Sequence, residues 1–330
     1  MQSMTKTIAI LGAGAWGTAL AIQAARAGRR VTLWARDPAV AAAIAATREN
    51  ARYLPGITLP AAVTVTADAN VALNGAALAL LVVPAQALAG VLSAMPVRAV
   101  PLLACCKGVE AGSLRLPLEV VAALRPGVPA GVLSGPNFAH EVARGLPAAA
   151  VVAAADASLR ESGLALLSSA AFRLYGGEDP IGAEVGGAAK NVIAIAAGAV
   201  IGAGLGENAR AALVTRGLAE LSRLAVALGG RAETAAGLTG LGDLMLTCAG
   251  PGSRNMSLGL ALGRGDSLAS VLAGRAGVTE GVTTAPAIVA RAAAAGVELP
   301  ICEAVADLVA ERITVPEAMA RLLARPRRAE

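Results

Sequence analysis

The stretch Thr7-Ile8-Ala9-Ile10-Leu11-Gly12-Ala13-Gly14-Ala15-Trp16-Gly17 decides the reading of the chain. Thr7–Leu11 reads as an apolar strand, and Thr18–Ala27 as a helix ending at Gly28. Three glycines in the pattern Gly-x-Gly-x-x-Gly join them. The first permits a tight turn, the second a close backbone approach to a pyrophosphate, and the third close packing of helix on strand. The helix N-terminus then presents free N–H groups and the positive end of its dipole to phosphates. The motif alone is weak. The strand before it and the helix after it supply the context that gives it weight.

Arg30–Trp34 reads as the second strand, and its end runs Trp34-Ala35-Arg36-Asp37. An acidic residue at that place receives ribose hydroxyls, whereas an arginine receives a 2′-phosphate. Arg36 points to NADP(H), and Asp37 keeps NAD(H) open. Further short apolar strands are predicted at Val63–Thr66, Ala77–Val83, Val100–Cys105 and Val132–Leu133, with Ala148–Ala154 and Phe172–Tyr175 closing the far edge. Near-continuous apolar strands alternating with helices predict an α/β fold with a mostly parallel, doubly wound sheet of the Rossmann type. After Gly176-Gly177-Glu178-Asp179-Pro180 the pattern turns helical. Two domains are expected: a dinucleotide-binding domain over 1–179 and an all-helical substrate and catalytic domain over 180–330.

The 330 residues suit two domains that bury a core without disulfides or metals. A hydrophobic share of 56% rules out disorder, and an aromatic share of 2% leaves no stacking platform for nucleic acid. The net charge of +5 is spread along the chain and clusters only at Arg321–Arg328, a solvated basic end. The mean hydropathy of +0.64 raises the question of a membrane. Ala69–Val97 carries no charge, but Pro84 and Pro96 divide it into a strand and a helix, and glycines break Asn191–Gly206. No membrane span is expected. Met1–Lys6 lacks the plan of a signal peptide, so a cytoplasmic protein is expected. Cys105, Cys106, Cys248 and Cys302 form no Cys-x-x-Cys pair, and His140, read as a helix-start residue, is the single imidazole. Reduced, buried thiols and no metal site are expected.

Only three of the 28 basic residues are lysines: Lys6, Lys107 and Lys190. Arginine cannot lose its proton in a protein, whereas a desolvated lysine can. Lys107 follows the strand that ends at Cys105-Cys106, at the carboxyl edge of the sheet, where open α/β folds bind ligands. Lys190 sits in Gly186-Gly187-Ala188-Ala189-Lys190-Asn191-Val192-Ile193, apolar on all sides and therefore a buried helix. A buried ammonium needs a partner, and Glu184 and Asp243 are the candidates. Its functional reading is a proton donor to a substrate carbonyl.

These features join phrases that run nearly the whole chain. They include Lys107-Gly-Val-Glu110, Ser134-Gly-Pro-Asn-Phe-Ala139, Gly186–Ala196, Asn208-Ala-Arg210 to Glu220, Gly240-Leu-Gly-Asp243-Leu-Met-Leu-Thr247-Cys248, Ser253-Arg254-Asn255 and Glu280-Gly281. On them the sequence resembles the bacterial NAD(P)-dependent glycerol-3-phosphate dehydrogenases. The resemblance implies reduction of dihydroxyacetone phosphate to sn-glycerol 3-phosphate with NADP(H) or NAD(H), supplying glycerophospholipid synthesis. It implies Lys190 as general acid and base, with Asp243 orienting the substrate and tuning the lysine. Lys107 would contact substrate and cofactor, Gly135 and Asn137 the substrate, and Asn191 and Thr247 would add hydrogen bonds. Ser253, Arg254 and Asn255 would hold the phosphate. Gly12, Gly14, Ala15, Trp16, Gly17, Arg36, Ala139, Arg254, Val278 and Glu280 would line the cofactor. A homodimer is expected.

One departure stands out: Met256-Ser257-Leu258 occupies a place where the family pattern has two basic residues and an aromatic. Two other readings differ in what they predict. A related β-hydroxyacid or ketopantoate-type reductase shares the architecture but has no use for Ser253-Arg254-Asn255. A nucleotide-sensing protein without turnover would keep cofactor binding in Lys190→Met.

Overall fold

Thr7–Leu11 turns Ile8 and Ile10 to one face of a sheet and Ala9 and Leu11 to the other, and all four are buried. A strand apolar on both sides needs a helical layer on each face, and the alternating helices supply both. The computed structural model describes residues 6–274 and 277–326. Part of the basic tail, 327–330, and residues 1–5 of the N-terminal stretch lie outside the described residues.

Among the described residues ten strands are present: β1 (Thr7–Leu11), β2 (Arg30–Trp34), β3 (Glu49–Asn50), β4 (Leu54–Thr58), β5 (Val63–Thr66), β6 (Ala76–Leu81), β7 (Leu102–Ala104), β8 (Ala130–Ser134), β9 (Ala148–Ala153) and β10 (Phe172–Gly177). Eight form one sheet in the order β10-β9-β8-β7-β6-β1-β2-β5. Every neighbouring pair is parallel except β8–β9. The strand order reverses around β1, which places the glycine-rich turn at the switch point of a doubly wound fold. The antiparallel pair β3–β4 was not anticipated, because Pro55 and Gly56 mask its strand pattern. Nor is Ala69–Val97 one apolar span: it divides into helix Ala69–Leu73, strand β6 and helix Leu88–Ala94.

The chain forms two compact units. The first comprises the residues up to Cys106 together with Pro117–Pro180, and the second comprises Lys107–Leu116 together with the residues from Ile181 onward. A single cut at 179 is therefore incomplete, because Lys107–Leu116 leave the first unit and pack with the second.

The second unit is helical and built round a central helix, Pro180–Gly202, in which every residue from Gly182 to Val200 is buried. This helix is long and apolar enough to cross a membrane, but 89% of its most apolar window is covered by the protein itself. It is crossed by the helix Arg254–Gly263 through glycines on both sides. A Cβ on Gly198 would lie 2.1 Å from the Met256 carbonyl oxygen, and one on Gly259 would lie 1.9 Å from that of Ile195. Gly202 and Gly263 repeat the contact one turn on. The two backbones touch directly, which outweighs the usual penalty of glycine inside a helix.

Candidate functional site

In the first unit, Gly12 has φ 127°, and a Cβ there would stand 2.3 Å from the Val82 carbonyl oxygen. Gly17 lets the helix Ala15–Arg26 settle on the loop, since a Cβ there would fall 1.8 Å from the Gly12 oxygen. Gly14 is different. Its backbone is extended and a Cβ would meet nothing within 4 Å. The protein's own packing does not require glycine there, so the room above it fits a close-lying pyrophosphate. Gly14 caps the helix without a side-chain hydrogen bond, which leaves the first-turn N–H groups unused by a cap. Ala15 and Trp16 open that helix and are half-buried.

Arg36 is exposed just past β2. The neighbouring Asp37 caps the helix Pro38–Thr47 by accepting from Ala39 N–H at 2.8 Å. Both charges at the strand end are exposed, and the Asp37 carboxylate is tied to the backbone. Gly135, Asn137 and Ala139 follow β8. Gly135 has φ 148°, and a Cβ there would lie 2.9 Å from Ala150 Cα. The Asn137 amide donates to the Ala149 oxygen at 3.1 Å, and its own buried Oδ1 accepts nothing.

The second unit gathers the two lysines. Lys190 is 8% exposed on the central helix, and Asp243 is 1% exposed. Lys190 donates to Asp243 Oδ1, and to Thr247 Oγ1 at 3.0 Å. Lys107 donates to the other carboxylate oxygen of Asp243 at 2.6 Å. Asp243, rather than Glu184, is the partner. It is delivered by a π-helical turn, Leu238–Gly242, pressed on the central helix where a Cβ on Gly186 would strike the Thr239 oxygen at 2.4 Å. The helix Asp243–Cys248 then places Thr247 one turn on, where its hydroxyl donates to the Asp243 backbone oxygen at 2.6 Å.

Burial drives the Lys190 pKa down from 10.5 to about 8, against the pull of Asp243 and with help from the Lys107 charge. Two ammonium groups share one carboxylate, so the cluster carries a net positive charge and holds a lysine able to give and take a proton near neutral pH.

Asn191 and Asn255 lace this cluster to its surroundings. Asn191 donates to the Lys107 backbone oxygen at 3.3 Å and accepts from Asn255 Nδ2 at 2.9 Å. Asn255 Oδ1 accepts from Gly281 N–H at 3.0 Å, at the start of the helix Glu280–Ala294. One N–H of the Asn255 amide remains beyond these bonds. Ser253 caps the helix Arg254–Gly263 by accepting from Met256 N–H at 3.2 Å. Arg254 is exposed, with its guanidinium against the Gly277 backbone, where a Cβ would lie 2.7 Å from Nη1. Val278 is exposed and Glu280 half-buried beside that segment. Met256 and Leu258 turn into the core, and Ser257 Oγ donates to the Arg254 oxygen at 3.2 Å.

Arg210 was not anticipated as a functional residue. It donates to the Cys248 and Ala249 carbonyls at 3.2 and 3.3 Å, holding the end of the helix that carries Asp243 and Thr247. Its place in the phrase Asn208-Ala-Arg210 was the available signal.

All four cysteines are buried and none forms a disulfide, and burial pushes the Cys248 thiol up to about 12. His140 is exposed and stacks on Phe138. Among the described residues no group of three or more His, Cys, Asp or Glu side chains could hold a metal.

Comparison with known proteins follows this division. Residues 7–160 match the family model described as NAD-dependent glycerol-3-phosphate dehydrogenase N-terminus, and residues 179–320 match the corresponding C-terminus. The glycerol-3-phosphate dehydrogenase [NAD(P)+] of Rhodospirillum rubrum is 53% identical over 100% of this chain and 95% of its own length. That of Caulobacter vibrioides is 54% identical over 98% of each chain. A crystal structure of glycerol-3-phosphate dehydrogenase from Coxiella burnetii superposes with a TM-score of 0.93 at 38% identity, covering 98% of this chain and 100% of the other.

Proposed function

Since the chain belongs to the NAD-dependent glycerol-3-phosphate dehydrogenase family, we propose that it reduces dihydroxyacetone phosphate to sn-glycerol 3-phosphate with NADPH or NADH. The observation that carries the chemistry is the buried Lys190, held by Asp243 and Thr247 with its pKa near 8. When bound, the reduced nicotinamide supplies the hydride. Hydride addition to a ketone leaves an alkoxide, and Lys190 protonates that oxygen. Asp243 fixes the ammonium in direction, and Lys107 adds a second positive charge. In the oxidative direction the neutral amine accepts the proton.

Arg254 and the N-terminus of its helix hold the substrate phosphate, because a planar cation and the positive end of a helix dipole suit a dianion. Asn255 adds its remaining N–H. Gly135 and Asn137 line the substrate, and the Asn137 oxygen is a buried acceptor suited to a substrate hydroxyl. The glycine loop, Ala15, Trp16, Arg36, Ala139, Val278 and Glu280 bind the dinucleotide, with Arg36 on the 2′-phosphate of NADPH.

The product feeds glycerophospholipid synthesis, and the enzyme works in the cytoplasm as a homodimer. Apolar side chains left exposed on the helical unit, among them Leu205, Val226 and Met245, support that assembly. Light scattering should return twice the chain mass of 32.4 kDa.

The direct test follows absorbance of the reduced nicotinamide with dihydroxyacetone phosphate, NADPH and NADH side by side. Rapid oxidation supports the reading. No oxidation by folded protein that still binds a cofactor turns the assignment toward a keto-acid reductase.

A further inference from the structure

Asn50 ends β3 and is 1% exposed. Its amide nitrogen donates to the Ala13 carbonyl oxygen at 2.9 Å and to Thr18 Oγ1 at 2.8 Å. Both N–H bonds of the side chain are thereby used. The two acceptors bracket the phosphate loop: Ala13 lies between Gly12 and Gly14, and Thr18 lies in the first turn of the following helix, its N–H on the Gly14 oxygen at 2.9 Å.

A peptide group is planar and trans, so a carbonyl and the N–H that follows it point in opposite directions. With the Ala13 oxygen drawn inward onto buried Asn50, the Gly14 N–H is directed outward. The opposite orientation would turn a carbonyl oxygen toward any anion on the loop. Gly14 makes this peptide easier to flip, because the dihedral that turns on its side belongs to a residue with no Cβ to resist it. The loop therefore needs an external clamp, and Asn50 occupies that position.

The clamp is itself anchored. Arg48, with φ 57°, donates through its guanidinium to the carbonyls of Val63, Leu59 and Pro60 at 2.9, 3.3 and 2.5 Å. Tyr53 N–H closes the β3–β4 turn on the Asn50 oxygen at 3.2 Å.

We infer that Asn50 is a positioning residue for the dinucleotide. It fixes the peptide between Ala13 and Gly14 so that the Gly14 N–H stays available to the pyrophosphate. This rests on the reading of the chain as an NAD(P)-dependent enzyme.

The test is calorimetric titration of the full chain with NADPH and with NADH, without substrate. Asn50→Asp keeps the side chain's shape but removes both donors. It should weaken both cofactors by about tenfold or more, and equally, because the pyrophosphate is common to the two. The KM for dihydroxyacetone phosphate at saturating cofactor should stay near that of the unchanged protein. Unaltered titrations overturn the inference. So does a loss confined to NADPH, and so does a lower melting temperature with unaltered affinity, which would make Asn50 a core residue only. Should Asn50→Asp fail to fold, Asn50→Ser answers the same question: weaker binding of both cofactors supports the clamp, and unaltered binding removes it. If the unchanged protein binds neither cofactor, it is the functional reading that fails.

Discussion

At the residue scale the proposed chemistry turns on one ammonium. Lys190 is legible in the sequence because a lysine in an apolar helix of an arginine-using chain stands out. Its partner is not legible, since the choice between Glu184 and Asp243 depends on a π-helical turn that no sequence period announces. In the role proposed for Lys190, reduction needs the protonated lysine. Its rate should be flat below about pH 8 and fall as pH rises through that value, while oxidation should rise through the same range, in a pH–rate profile taken in both directions. The folded-state pKa lies below lysine's usual 10.5, so between the two values the unfolded chain holds more protons. This group therefore makes the fold more stable as pH rises from about 8 to 10.5, and less stable below that window. Lys190→Ala should lower turnover by roughly 10²-fold or more with cofactor affinity unchanged, and a near-normal rate would remove the assignment. Arg36→Ala should weaken NADPH more than NADH in binding titrations, because only NADPH carries the phosphate a guanidinium reads.

At the scale of elements, the crossing of the central helix with Arg254–Gly263 positions the helix end proposed to hold the phosphate. Gly259→Ala drives a methyl into the Ile195 carbonyl at 1.9 Å. Overpacking of this kind costs about 1–3 kcal/mol. Thermal unfolding should show that loss, and KM for dihydroxyacetone phosphate should rise as Ser253–Asn255 shift. Thr314→Ala is the contrasting case. Thr314 and Glu317 form a reciprocal capping box on the exposed helix Val315–Leu323. The substitution should cost about 1 kcal/mol of stability and leave kinetics unchanged. The strands of the sheet follow from their apolar runs, and β1 and β2 from residue-level pattern alone. The β3–β4 hairpin and the glycine crossing do not. The first has too little apolar pattern to read, and the second is a relation between two helices rather than a property of either.

At the scale of the whole molecule, each unit has its own core. The sheet is packed on both faces, around Ile8 and Ile10 on one side and Ala9 and Leu11 on the other, and the helical unit closes around Val192, Ile193 and Ile195. The loop that reads as the pyrophosphate site belongs to the first unit. A ligand that binds only the folded state adds about 2.7 kcal/mol at a hundred times its Kd. Scanning calorimetry with saturating NADPH should therefore raise the unfolding temperature, and a tenfold weaker Asn50→Asp should lose about half of that rise at the same concentration. A class-level reading of the fold is available from the alternation of apolar strands and helices, but the path of the chain between the units is not. Nothing in the composition of Lys107–Leu116 distinguishes it from an ordinary loop.

That path bears on how the protein is made. Lys107–Leu116 emerge from the ribosome well before Ile181 and the helices they pack with. At roughly 5–20 residues per second, the segment waits several seconds for its partners while the strands on either side of it are already able to pair. During that interval Lys107 hangs from a half-built sheet with no carboxylate to meet it. The amino acid that will stand beside Asp243 is thus among the last to find its place, and the nascent enzyme acquires its charge cluster only when its C-terminal half has been synthesised.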